Sequence, residues 1–209
     1  MEPFNQIAFK EWAVVCAALA SGQQSLILRK GGIHEGRDGF RVAHREFWLF
    51  PTGFHQEPDS VAQDAQPLLN DVLTRQPTTN EIHIQFYIEV EEVIELHDES
   101  RLSDLAPFHI LSDKTVHARF HYKSPGLFVI LVRVHQLLAH NTIPASPHFA
   151  GCRSWVDFPT AISTTGLKPV LSDEAHAERM TRIRSLLSSI STSHPLPNVC
   201  LNDSESIGQ

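Results

Sequence analysis

Residues 81–96 carry a two-residue hydrophobic alternation, and this feature constrains the fold more than any other part of the chain. Apolar side chains occupy every second position from Ile82 to Val90, and polar side chains stand between them. A period of two is typical of a β-strand with one buried face. The alternation slips at Glu91 and Glu92, and an extra residue of this kind predicts either a β-bulge or a break into two strands. The segment is therefore predicted to form one long, bulged strand of a sheet or two shorter strands.

Other segments predict further strands and helices in a mixed order. Residues 127–137 are apolar at first and alternating later, which predicts a second long strand. Ser112 can cap a short helix over Asp113–His121. Residues 172–189 have apolar side chains at the spacing of an amphipathic helix. We therefore predict an α+β fold, with a mixed or mainly antiparallel sheet that could be barrel-like and with about three flanking helices.

The length of 209 residues fits one domain with a short appendage. We expect a single α+β domain over residues 1–190. The segment 191–209 is rich in Ser, Pro and Asn, a composition that favours a mobile tail.

Residues 9–19 are ambiguous between helix and strand. Their alanines suit a helix, whereas the apolar run 14–16 suits a strand that is covered on both faces. We favour a hairpin in which residues 12–19 pair with residues 25–30.

The segment 61–74 has apolar side chains at helical spacing, but Pro67 interrupts it. Because proline lacks an N–H donor, it predicts either a kinked helix or a start near residue 66 with Pro67 in the first turn.

Charge and cysteine usage exclude several protein classes. The net charge of −7 argues against a general polyanion binder, which needs a surplus of Lys and Arg. Cys16, Cys152 and Cys200 lie far apart and form no CxxC pattern, so we expect reduced thiols.

The N-terminus lacks the pattern of a secretory signal, and no apolar run is long enough for a membrane span. The expected location is the cytoplasm.

A local basic segment could still bind an anion. Arg29 and Lys30 follow a strand-like run and could hold phosphate or carboxylate, and Arg153 could add a bidentate clamp. The alternative for the two arginines is a structural ion pair, with Glu46 or Asp157 as partner.

Trp48 or Trp155 could supply a stacking surface for a base, although core packing would also explain both. Together with the basic side chains they favour our first hypothesis, a non-catalytic module that binds DNA or RNA.

The second hypothesis is a hydrolase that uses His44, Glu46 and His55 as catalytic residues. A metal-dependent version would draw ligands from these residues together with His97 and Asp98. The chain has no HExxH pattern and no tight HxH pattern, so we assign no metal site and leave any cofactor unknown.

His117 and His121 stand four residues apart on the predicted helix and could share a ligand. Most histidine pairs of this kind are only neighbours on a helix surface.

The third hypothesis is an interaction subunit whose apolar surface meets a partner protein or a second copy, as in a homodimer. The sequence leaves open whether the protein is an enzyme.

Five longer motifs resemble one protein family. They are EWAVVCAAL…LILRKGGI (11–33), HREFWLFPTGFHQ (44–56), PFHI (107–110), PGLFVILVRV (125–134) and GCRSWVDF (151–158). Over about residues 9–158, the chain is similar to the bacterial domain of unknown function 1802 family. That family brings no established activity.

The resemblance implies a set of site residues, namely the polar and aromatic members of these motifs: Arg29, Lys30, His44, Glu46, Trp48, Thr52, His55, Gln56, His109, Arg153 and Trp155. It also implies a nucleic-acid-related role, because some family members resemble components of restriction–modification systems in their context. A separate endonuclease subunit is then an expected partner. We expect the early segment and the segment near residue 153 to meet at one hollow.

Overall fold

A seven-stranded mixed sheet forms the centre of the structure, a computed structural model that describes residues 1–30, 42–53, 56–75, 81–151 and 153–188. The strands are β1 (Phe4–Trp12), β2 (Leu26–Arg29), β3 (Glu46–Thr52), β4 (Glu81–Leu96), β5 (Leu127–Pro144), β6 (Trp155–Ser163) and β7 (Lys168–Pro169). The strand order is β2-β5-β4-β3-β1-β6, and β7 pairs with β5. β1 and β3 run parallel, whereas the other described pairings are antiparallel. The predicted α+β class with a mainly antiparallel mixed sheet is confirmed.

The described residues include five helices, two more than the sequence suggested. They are α1 (Ala13–Ala20), α2 (Gln66–Thr74), α3 (Leu102–Leu105), α4 (Asp113–His121) and α5 (Asp173–Leu187). Within these described ranges, none of the helices has the length and apolar character needed to cross a membrane.

β4 and β5 form the longest pairing in the sheet. Val90 lies opposite Val132 and Glu92 lies opposite Leu131, so one extra residue is inserted in β4 between these pairs. The slipped alternation left two possibilities, a bulge and a break into two strands, and the structure has the bulge. β5 extends to Pro144, seven residues beyond the predicted end at residue 137.

The predicted hairpin between residues 12–19 and 25–30 is wrong. β1 ends at Trp12, α1 begins at Ala13, and β2 pairs with β5 instead. The run that looked like a doubly covered strand is a helix with little hydrophobic asymmetry, because α1 packs against both β3 and α2. The alanines that favoured a helix gave the correct indication.

The other helix predictions are close to the structure. α2 begins at Gln66 with Pro67 in its first turn, as one of the two alternatives required. Ser112 accepts a hydrogen bond from the backbone N–H three residues later, so this predicted N-cap is confirmed. Ser172 caps α5 in the same way.

A central strand of the sheet, β3, is buried on both faces. In β3, Phe47 and Leu49 point into a large core, whereas Trp48 and Phe50 point into a second, smaller core. This division follows from the alternation of side chains along a strand. β3 is therefore covered on both sides from Phe47 to Phe50.

The sheet is open, but its two edges approach each other. β2 and β6 are the outermost strands of the main path. At the end of β2, the Arg29 guanidinium donates to Ser154 Oγ, just before β6, at 2.6 Å. Among the described residues no backbone ladder joins the two edges, so the predicted barrel-like form is approached without closure.

Candidate functional site

A cleft of about 470 Å³ lies where several chain segments meet at one end of the sheet. β1 and β3 are parallel, so their carboxyl ends lie at the same end of the sheet. β6 runs antiparallel to β1, so the segment that precedes β6 arrives at the same place. Arg29, Thr52 and Arg153 line this cleft together, although they come from three distant parts of the chain.

Arg153 is the basic side chain most open to solvent in the cleft. One guanidinium nitrogen donates to the carbonyl oxygen of His148 at 3.1 Å. A guanidinium has five N–H donors, so this bond leaves Arg153 with capacity to bind a carboxylate or phosphate.

Lys10 has a structural task in the same cleft. Its side chain is largely buried, and Nζ donates to the carbonyl oxygens of Phe149 and Gly151. These bonds hold the segment that leads to Arg153 against β1.

Arg29 belongs to a buried network. The Glu11 carboxylate is fully buried; its Oε2 lies 3.3 Å from an Arg29 nitrogen, and its Oε1 accepts from the Trp12 N–H at 2.8 Å. The Arg29 guanidinium also lies 4.7 Å from the centre of the Phe9 ring. The structural ion pair considered for Arg29 therefore exists, with Glu11 as partner in place of Glu46 or Asp157.

Thr52 and Gln56 connect the cleft to the start of α1. Thr52 Oγ1 donates to the Glu11 carbonyl at 3.1 Å. The buried Gln56 amide donates to the Thr52 carbonyl and accepts from the Val14 N–H at 2.8 Å. Gln56 thus satisfies a backbone donor in the first turn of α1, whereas Thr52 itself lines the cleft.

Trp155 packs beside the cleft rather than lining it. Its ring lies 4.7 Å from Phe9 and 5.1 Å from Phe47, centre to centre, and 5.0 Å from the His44 ring. Burial lowers the pKa of His44, and the charge of Asp157 opposes part of this shift. The two rings form an edge of the large core.

Trp48 requires a correction. Its side chain is 0% exposed, its Nε1 donates to the Asn5 carbonyl at 3.0 Å, and its ring meets Tyr87 edge-on. Alternation along β3 turns it into the second core, so it offers no face for stacking on a base.

Lys30 is also placed away from the cleft. Its Nζ donates to the carbonyl oxygens of Phe120, Ser124 and Gly126, around and after the end of α4. Burial lowers the pKa of Lys30, and Glu95 partly opposes this. The side chain predicted to hold phosphate instead satisfies carbonyls at a helix end.

His109 is likewise buried outside the cleft. Its Nδ1 accepts from the Leu111 N–H at 3.2 Å, and burial, reinforced by Arg119, lowers its pKa to about 4. His109 therefore has a structural role in the protein interior, although the family resemblance marked it as a ligand-binding residue.

The structure describes two of the three residues of the hydrolase hypothesis, His44 and Glu46. His55 lies outside the described residues. Glu46 binds the Glu2 N–H at 3.0 Å, the Tyr87 hydroxyl at 2.9 Å and the N-terminal ammonium at 3.2 Å. Burial raises the pKa of Glu46, but these donors outweigh burial and leave it lowered. Glu46 begins β3 and Thr52 ends it, a span of roughly 20 Å, so Glu46 lies far from the cleft.

The metal ligands considered for the hydrolase also have other contacts. His97 lies 3.3 Å from Glu95, and Asp98 accepts from the Ser100 N–H. Over the part of the chain that is described, the one group of histidine and acidic side chains close enough to share an ion is Glu99, His117 and His121.

Three residues of the cleft, Lys10, Glu11 and Trp12, were missed by the sequence analysis. Trp12 was interpreted as the first residue of a hairpin strand, and Lys10 and Glu11 as residues that precede it. A signal was present, because the adjacent charges of Lys10 and Glu11 precede a long apolar run and would be costly to bury without partners.

Comparison with solved structures finds the ASCH protein from Zymomonas mobilis and two single-substitution variants of it. They are 12% identical to this chain, cover 88–90% of it and 96–99% of their own chains, and have TM-scores of 0.39–0.43. Similarity at this level supports no conclusion about function. No curated protein sequence matches this chain.

A protein-family comparison gives a clearer result. The family described as "Domain of unknown function (DUF1802)" matches residues 8–182, which include every described residue that lines the cleft. The match also covers the five motifs on which the resemblance rested. The chain therefore belongs to the DUF1802 family.

Proposed function

We propose that this protein is a nucleic-acid-associated binding module whose cleft accepts one nucleotide of a single strand. The observation that carries the proposal is the convergence of Trp12, Thr52 and Arg153 on one cleft. Backbone pairing of β1 with β3 and of β1 with β6 brings these three segments together.

The dimensions and chemistry of the cleft suit a nucleotide. Its volume of about 470 Å³ lies within the range of roughly 300–1,000 Å³ that is usual for small-ligand sites. Trp12, Phe50 and Phe149 provide apolar wall against which a base can pack. The Arg119 guanidinium lies 4.5 Å from the centre of the Trp12 ring and fixes the orientation of the indole.

Arg153 is the phosphate-binding group of the proposal. It is exposed at the cleft, and its planar guanidinium matches two phosphate oxygens. Gly53 and Gly151 line the same opening, and their lack of side chains lets a sugar-phosphate backbone approach closely.

The overall charge limits the mode of binding. With a net charge of −7, the protein is unsuited to follow a long phosphate backbone. We expect contact with only one or two phosphates, and hence a shallow salt dependence with a log–log slope of about −1.

The biological setting that we propose is a restriction–modification or defence-type system, in which a separate endonuclease subunit performs cleavage. Support for this part comes from the family resemblance. Co-purification of this chain with the product of a neighbouring endonuclease gene would test it.

Fluorescence anisotropy with short single-stranded DNA and RNA at two salt concentrations tests the binding proposal. We expect Arg153→Ala to weaken binding about tenfold or more, because a charge-assisted bond to phosphate is lost. Arg182→Ala is the matched control, since Arg182 is an exposed arginine on α5 that does not line the cleft.

Absence of binding at low salt would contradict the proposal, as would an equal loss of affinity in both variants. Arg29 is unsuitable as a test residue, because its replacement removes an ion-pair partner of the buried Glu11 carboxylate and would destabilise the fold.

A further inference from the structure

Two histidines of α4 and one glutamate from a neighbouring turn form a compact group on the surface. His117 and His121 are one helical turn apart and therefore project from the same side of α4. Glu99 begins the 3₁₀ turn Glu99–Arg101. Its Oε1 lies 2.8 Å from His117 Nδ1 and 2.8 Å from His121 Nε2.

The three side chains are accessible to an ion from solvent. They are 43% (Glu99), 50% (His117) and 52% (His121) exposed. Their ligand atoms all lie within 4.8 Å of one another.

We propose that Glu99, His117 and His121 bind a divalent transition metal ion, for which Zn²⁺ is the best match. Two imidazole nitrogens and one carboxylate oxygen are a common three-ligand set for zinc, with the fourth position left to water or another ligand. This site lies apart from the cleft and does not depend on nucleic-acid binding.

The distances require only a small adjustment. Bonds of about 2.0–2.1 Å to zinc in a tetrahedron place neighbouring ligand atoms about 3.3 Å apart. The Glu99 oxygen and each histidine nitrogen are 2.8 Å apart, so these two separations must increase by roughly 0.5 Å. The two histidine nitrogens lie within 4.8 Å of each other and must take the same spacing. Half-exposed side chains can move this far by small rotations.

The backbone on both sides of the site is fixed. Ser112 caps the first turn of α4, and Lys30 bonds the Phe120 carbonyl in its last turn. Asp98 accepts from the Ser100 N–H and so holds the turn that carries Glu99. Preorganised elements of this kind lower the cost of bringing three ligands to one ion.

The alternative is a pair of ordinary surface contacts between Glu99 and the two histidines. Exposed pairs of this type contribute little to stability, and they require no metal. The two possibilities differ in what happens when Zn²⁺ is added.

Isothermal titration of the full chain with Zn²⁺ alone, without any affinity tag, tests the proposal. We expect one ion to bind per chain. His117→Ala combined with His121→Ala should abolish that binding, and Glu99→Gln should weaken it at least tenfold because one of three ligands is lost. Added Zn²⁺ should raise the unfolding temperature of the original protein and not that of the double variant.

His97→Ala is the matched control. His97 is also exposed and also contacts one glutamate, Glu95, but it does not belong to the group of three. We expect its Zn²⁺ affinity to equal that of the original protein.

Two results would overturn the proposal. One is failure of the original protein to bind Zn²⁺. The other is Zn²⁺ binding by the double variant and by Glu99→Gln that is as strong as binding by the original protein. If circular dichroism shows that the double variant is unfolded, the Zn²⁺ affinity of Glu99→Gln alone tests the proposal. Co²⁺ spectra give an independent check, because thiolate ligation by a cysteine would reveal itself as charge-transfer absorption and would also contradict this ligand set.

Discussion

Arg29 shows how one residue can serve the architecture of a cleft without being its binding group. Its guanidinium contacts Glu11 of β1 and Ser154 beside β6, so it bridges the two edges of the sheet. The Glu11 side chain is fully buried. A buried carboxylate is tolerated only with a partner close by, so these residues form one unit.

We predict that Arg29→Met lowers the free energy of unfolding by about 3 kcal/mol or more, because it leaves the Glu11 charge buried without this partner. Urea unfolding measures the change. The double variant Glu11→Gln with Arg29→Met should recover much of the loss. A single variant as stable as the original protein would show that Arg29 does not neutralise the buried Glu11 carboxylate in solution.

His109 is a second buried residue with a measurable consequence. Burial, with a smaller contribution from Arg119, lowers its pKa from the ordinary value of 6.5 to about 4. Between these two pH values the unfolded chain binds a proton that the folded protein does not. The contribution of neutral His109 to the free energy of unfolding is therefore fully present above pH 6.5, and it falls as the pH drops towards 4.

We predict that acidification from pH 7 to pH 4 costs up to about 3 kcal/mol through His109 alone. In His109→Asn, whose side-chain oxygen can still accept from the Leu111 N–H, the loss between pH 6.5 and pH 5 should be smaller. Urea unfolding at a series of pH values tests this. Identical slopes in the two proteins over that range would contradict the burial of a neutral His109.

At the scale of elements, α1 depends on a residue that lies far from it in sequence. Its N-cap, Trp12, makes no side-chain capping bond. The Gln56 amide instead accepts from the Val14 N–H, and Glu11 accepts from the Trp12 N–H. Buried backbone donors need such partners, so the segment after β3 stabilises the start of α1.

We predict that Gln56→Ala lowers the free energy of unfolding by about 1–2 kcal/mol, the usual cost of removing a helix cap. Gln23→Ala is the matched control, since Gln23 is exposed in the turn after α1. Equal unfolding midpoints for the two variants would show that Gln56 does not cap the helix.

The sequence predicted those elements whose patterns are local. Alternation identified β4 and its bulge, Ser112 identified the start of α4, and apolar residues at helical spacing identified α5. α1 was predicted wrongly because it is apolar on nearly all sides, so its periodicity did not distinguish a buried helix from a buried strand. Its context decided the outcome, since α1 packs against β3 and α2.

The candidate site was only partly predictable for the same reason. Arg29, Thr52 and Arg153 were named from motifs, and the structure brings them to one cleft. Trp48 and Lys30 were named with them, but strand parity and a helix end place these two elsewhere. Composition and spacing do not reveal which face of β3 carries the second core, or that Lys30 reaches the end of α4.

At the scale of the whole molecule, the cleft is a product of topology. The parallel pairing of β1 with β3 and the return of β6 beside β1 bring together segments more than a hundred residues apart. An open sheet with adjoining edges leaves a hollow at one end, and that hollow is where the exposed Arg153 lies.

The three tryptophans of the chain give the most direct test of whether this cleft binds a nucleotide. Trp12 lines the cleft, Trp48 is completely buried and Trp155 packs beside Phe9 and Phe47. We would record the three indole N–H signals by NMR while a short single-stranded oligonucleotide is added. We predict a large shift of the Trp12 signal, an unchanged Trp48 signal, and a smaller Trp12 shift in Arg153→Ala at the same oligonucleotide concentration. Binding that leaves Trp12 unmoved, or no binding at low salt, would contradict this prediction.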